Sequence, residues 1–149
     1  MERSMFGDWD FGGLRVRAEK EIQSSGRTEK ALSEYEKYMK LVYLYPGRQL
    51  AMAGIVDEVW HLHILDTLNY TSFCDRYFGS YIHHNPNVED QTGGHHLAYT
   101  QMLDLMKQHF GYIDLNIWPS ADDVKNQCSG CNKCYRQIVG DITPDYEIF

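Results

Sequence analysis

Residues 53–77 read AGIVDEVWHLHILDTLNYTSFCDRY, and the reading of this stretch decides the fold. Ile55, Val56, Val59, Trp60, Leu62, Ile64, Leu65, Leu68, Tyr70 and Phe73 make it apolar over much of a helical circumference. A helix of that kind is normally buried among others, as the central member of a bundle. The pattern predicts one helix from Leu50 or Ala53 to Tyr77, ended by Gly79. The fold class expected is therefore all-α, a small bundle of about four helices with an irregular, cysteine-containing C-terminal segment.

The flanks supply the other helices. Upstream, Leu32, Tyr35, Tyr38, Met39 and Val42 recur at three- and four-residue spacing within Glu29–Tyr45, one apolar stripe with Thr28 as its cap and Pro46-Gly47 as its stop. A shorter amphipathic helix is expected from Leu14 to Ser24. Downstream, Tyr81 to Pro86 reads as an irregular return, because the residue before a proline avoids helical geometry. His95 to Phe110 forms a last helix, with Leu97, Met102, Leu105, Met106 and Phe110 inward. No strand pairing is expected. The organisation anticipated is an N-terminal arm over 1–13, a helical metal-binding domain over 14–120, and an irregular CxxCxxC segment with a loose tail, ITPDYEIF, over 121–149.

Charge narrows the function. The net charge is −7, and nine of the fourteen Lys and Arg residues lie at or before Arg48. From Gln49 to Met106 a single base, Arg76, faces seven acids, and the same stretch holds six of the seven histidines. Such a middle attracts cations and repels phosphate backbones, so nucleic acid is not an expected partner. No apolar run approaches the roughly 18 residues that span a bilayer. The early charges of MERSMFGDWDFGG leave no apolar signal core, so a cytoplasmic location is expected.

His61 and His63 stand two residues apart. Successive helical residues are about 100° apart, so the two imidazoles point to nearly opposite sides and cannot close on one ion. His61 shares a face with Asp57, four residues earlier, and with Leu65 and Leu68. An Asp-x-x-x-His pair can chelate a cation or form a carboxylate–imidazole hydrogen bond. His63 lies with Val59, Trp60, Asp66, Thr67 and Tyr70, and needs a partner from elsewhere. His83-His84 follows Gly79 on a segment that must fold back beside the helix. Two ligand sets result. One is Asp57 and His61 with His84 or His83; the other is His63 with the loop histidines, supported by the Asp57–His61 pair. Two imidazoles and a carboxylate leave coordination positions open, as in catalytic zinc and non-heme iron sites. His63 and His83 are then further ligands or acid–base groups. His95-His96 reads as an ordinary surface pair.

The run VDEVWHLHILDTLNYTSFCDRYFGSYIHHNP, residues 56–86, resembles the core motif of the glycine-rich domain-containing protein-like family. The elements that carry the resemblance are Asp57, Trp60, His61, His63, Tyr70, Phe73, Cys74, Phe78, Gly79, His83, His84 and Pro86. It implies a shared histidine site and assigns it no reaction.

Cys128, Cys131 and Cys134 form a C-x₂-C-x₂-C cluster, a chelating spacing for a second zinc or for Cu(I). A closed zinc site needs a fourth ligand, from Cys74 or a histidine such as His109. Cys74 otherwise reads as a small buried hydrophobe. The sequence thus points to a small helical metalloprotein whose His/carboxylate site binds iron or zinc. As an oxidoreductase or hydrolase it would modify a small molecule or peptide. The competing expectation is a non-catalytic module that holds a protein partner through structural zinc on its cysteines.

Overall fold

The computed structural model describes residues 5–22, 26–86, 94–126 and 134–138. Its helices are α1 (Gly12–Glu21), α2 (Thr28–Leu44), α3 (Gly54–Leu65), α4 (Thr67–Phe78), α5 (Gly94–Phe110) and α6 (Ala121–Asn126). Three short strands, β1 (Ala51–Met52), β2 (Ile82–Pro86) and β3 (Cys134–Ile138), accompany them. The protein is mostly helical, a small helical bundle, as the apolar patterning requires.

α2 behaves as its stripe predicts: Leu32, Tyr35, Tyr38, Met39 and Val42 are all buried. It packs on α1 and α3, and α3 also contacts α4. The helix begins at Thr28 itself, with Arg27 in the capping position and no side-chain cap. At the C-terminal side Gly47 takes φ 82°, a left-handed turn after Pro46. In α5, Met102, Leu105 and Met106 point inward as expected, whereas Leu97 is exposed and Ala98 and Tyr99 take the core face.

The expected single helix over 53–77 is two helices meeting at Asp66, whose ψ of 75° breaks the ladder. The Asp66 carboxylate accepts from the Asn69 amide and its carbonyl from the Tyr70 amide, so the residue caps the second helix. Asp-Thr is a start signal hidden inside a continuous apolar run. Leu65, at the end of the first helix, and Leu68, in the first turn of the second, are exposed, at 71% and 80%.

The return after α4 is also more regular than expected. Gly79, at φ 69° and ψ 0°, ends α4 in the left-handed conformation. The chain then enters β2 rather than an irregular loop. β3, from the segment expected to be irregular, forms the centre of a three-stranded antiparallel sheet in the order β1-β3-β2. Its register sets Ala51 opposite Tyr135 and His84 opposite Arg136. Proline does not prevent this, because Pro86 is the last residue of the strand.

Of the expected N-terminal arm, residues 5–11 pack on the core. Phe6 is buried and packs on Phe73, Tyr77 and Phe78, and Trp9 and Phe11 also reach Phe73. Burial of these rings ties the segment to α4, since each removes a large apolar surface from water.

α3 is placed from both ends. Gly54 takes φ 69°, and a Cβ there would lie 2.9 Å from the Pro119 ring, so only glycine allows the helix to start this close to the α5–α6 connection. Trp60, fully buried, donates through Nε1 to the Tyr70 hydroxyl at 3.0 Å, and Tyr70 donates in turn to the Ile82 carbonyl. That chain of bonds couples α3, α4 and the start of β2. No helix among the described residues is long and apolar enough to cross a membrane.

Candidate metal centre

Three side chains converge where β2 passes α3. Asp57, in the first turn of α3, is buried, with its side chain 5% exposed. His61, one turn on, brings Nδ1 to 3.7 Å from Asp57 Oδ2. His84 arrives from β2 and donates from Nε2 to Asp57 Oδ1 at 2.9 Å. Its ring lies between Trp60 and His61, with ring centroids 4.2 and 4.3 Å away. Asp57, His61 and His84 each offer a ligand atom, and these atoms all lie within 4.8 Å of one another.

The spacing suits a cation. Ligand atoms about 2.0–2.1 Å from a tetrahedral ion stand roughly 3.3 Å apart, between the two distances seen here. The His61 side chain is half exposed, whereas Asp57 is buried. The donor set, imidazole nitrogen and carboxylate oxygen, is the one zinc and iron(II) favour. Burial of Asp57 and His84 makes the site asymmetric. Trp60 covers one face of His84, while His61 faces a cavity of about 550 Å³ that Asp57 and Glu58 also line. Its other walls include Arg27, Ile117, Pro119 and Asp123.

His63 stands apart from this group, on the opposite side of α3. Its Nε2 lies 2.8 Å from Asn69 Oδ1 and its Nδ1 2.7 Å from the Tyr35 hydroxyl. The Trp9 indole N–H can only donate, and it donates to the same Asn69 oxygen at 3.2 Å. That oxygen is therefore the amide carbonyl, His63 Nε2 carries the proton, and Nδ1 accepts from Tyr35. Both ring nitrogens are committed, and no lone pair remains for an ion. Burial pushes the His63 pKa down to about 4, with the Asn69 bond opposing the shift. The ligand set built on His63 with the loop histidines is thus not the one assembled.

His83 alternates with His84 along β2 and so faces the other way. It packs on the Tyr81 ring at 4.5 Å, with burial lowering its pKa. It does not join the converging atoms. His109 is engaged by the Tyr45 hydroxyl at 2.7 Å. Cys74 is fully buried, and burial raises its thiol pKa to about 11, which suits a packed thiol and not a ligand. Cys128 and Cys131 lie outside the described residues, and Cys134 opens β3, opposite Met52 and Pro86.

The converging residues Asp57, His61 and His84 are thus among the first of the two ligand sets read from the sequence. Arg27, Glu58 and Asp123 were missed as cavity residues. Glu58 adjoins Asp57, a local signal; Arg27 and Asp123 reach the site only through the packing of α2 and α6, and nothing in their neighbours marks them.

Residues 13–96, more than half of the chain and including the whole triad, match the profile of a family described as UCP032817-like. No curated protein and no solved structure matches the chain.

Proposed function

The chain belongs to the UCP032817-like family, and from the triad carried within the matched span we propose that it is a metal-dependent enzyme with a two-histidine, one-carboxylate centre. Asp57, His61 and His84 hold a divalent zinc or iron ion. The substrate is a small molecule or peptide that enters the cavity on the His61 side. The observation that carries this reading is the convergence of three ligand atoms from two separate elements, half-buried on one side and open to a cavity on the other. Kinship with the glycine-rich domain-containing protein-like family belongs to the same proposal.

A bound ion would supply Lewis acidity toward a substrate oxygen or, as iron(II), access to dioxygen chemistry. The chain's own groups do the rest. Asp57 contributes the charge that offsets part of the ion's, and its buried setting strengthens that attraction. Trp60 keeps water from one side of His84. The Trp60–Tyr70–Ile82 chain fixes the strand on which His84 sits, so the ligand is positioned before any ion arrives.

Elemental analysis of protein purified without an affinity tag tests the reading. About one zinc or iron per chain is expected, lost in Asp57→Ala, His61→Ala and His84→Ala. It should persist when Cys128, Cys131 and Cys134 are changed together to serine. Metal that instead follows the cysteines, or that is absent from the wild type after incubation with either ion, overturns it.

A further inference from the structure

The cavity beside the triad carries charges of both signs that form no ion pair among the described residues. Arg27 at the start of α2, Glu58 on α3 and Asp123 on α6 all line it, and all are exposed. The Arg27 guanidinium donates to the Asn116 carbonyl at 2.8 Å, one of the five N–H groups it carries. Among the described residues, neither Arg27, Glu58 nor Asp123 makes an ion pair. The cation and the two carboxylates share one concavity without closing on one another. In a cleft with low-dielectric walls, such charges attract complementary groups more strongly than they would on an open surface. Ile55, Ile117 and Pro119 add apolar wall between them. A cation, two carboxylates and apolar wall in one concavity together match a ligand that carries ammonium, carboxylate and hydrocarbon at once.

We infer that this cavity binds a compact zwitterion of the amino-acid type, a free amino acid or dipeptide with an apolar side chain. Its carboxylate sits on Arg27 and its ammonium between Glu58 and Asp123. The cavity, about 550 Å³, lies within the range of ordinary small-ligand sites, roughly 300–1,000 Å³. A bidentate guanidinium–carboxylate pair fixes orientation as well as charge. That this ligand is a substrate rests on the reading of the triad as a metal centre; that it binds does not.

Calorimetric titration of the metal-free full chain tests the assignment, with L-leucine and glycyl-L-leucine as probes. N-acetyl-L-leucine removes the ammonium and L-leucine methyl ester removes the carboxylate. Saturable binding of at least one zwitterion is expected, and the tighter of the two identifies the source. Each blocked derivative of leucine should bind roughly tenfold more weakly or worse. Arg27→Gln should weaken L-leucine to the same degree and leave the methyl ester unchanged, whereas Glu58→Gln should weaken L-leucine and leave the N-acetyl derivative unchanged. Natively folded wild-type protein that binds neither zwitterion, or binds the blocked forms equally well, overturns the inference. Metal content measured on the same variants separates the two readings. Wild-type metal without zwitterion binding sinks this one alone, and zwitterion binding by a chain that never takes up metal sinks the metal centre alone.

Discussion

Tyr70→Phe isolates the hydroxyl that joins the helices to the strand carrying His84. The hydroxyl accepts from Trp60 Nε1 at 3.0 Å and donates to the Ile82 carbonyl, and Trp60, Tyr70 and Ile82 are all fully buried. The phenyl ring stays, so no large cavity opens. What is lost is the partner of one buried donor and one buried acceptor. Each orphaned group costs about 1–3 kcal/mol, and a carbonyl within a sheet keeps some compensation, so the expected loss is about 2–4 kcal/mol. For a chain of 149 residues that is a fall in Tm of roughly 5–12 °C. Urea unfolding at neutral pH measures it, with an unchanged denaturant slope showing that the same surface is exposed. Tyr43→Phe, at a site 50% exposed, is the control and should change stability by less than about 0.5 kcal/mol. His84 stands two residues along β2 from Ile82, so metal affinity should weaken in Tyr70→Phe and not in the control. A Tyr70→Phe variant no less stable than Tyr43→Phe would refute the bridging role.

Metal removal should itself be visible as stability. An ion present at about 100 times its dissociation constant stabilises the folded state by about 2.7 kcal/mol, so chelation should lower Tm by several degrees in the wild type and not in Asp57→Asn. Gly54→Ala should cost more than Gly47→Ala in urea unfolding. Both force a side chain into the left-handed region at about 1–2 kcal/mol, but only the first also drives a Cβ to 2.9 Å from the Pro119 ring. Equal losses would mean that the α3 start does not need that close approach. The thiol of Cys74 is raised from 9.0 to about 11 by burial. The unfolded chain gives up this proton near pH 9 and the folded chain holds it to about 11, so the unfolded state binds fewer protons in that window and stability falls as pH rises through it. The contribution is about 2–3 kcal/mol, and Cys74→Ala should flatten the decline of unfolding free energy between pH 9 and 11. Parallel slopes for the two proteins would contradict the buried, protonated thiol.

The amphipathic stripe of α2, the buried face of α3 and the opposed directions of His61 and His63 were legible in the sequence, because each follows from helical periodicity. Asp57 and His61 were legible for the same reason: four residues apart, they must share a face. That His84, rather than His83, completes the group was decided by β2, whose alternation turns one imidazole to α3 and the other away. No local signal announced that strand, since its pairing partner β3 lies some fifty residues onward in the chain. Tertiary packing likewise decided the corner at Asp66, where a capping carboxylate outweighed an apolar run that read as continuous. The same is true of Arg27 and Asp123, brought to the cavity from distant helices. Periodicity is a property of neighbouring residues and can be read from their order. Convergence depends on which surfaces bury one another, and that is settled only when the whole chain has folded.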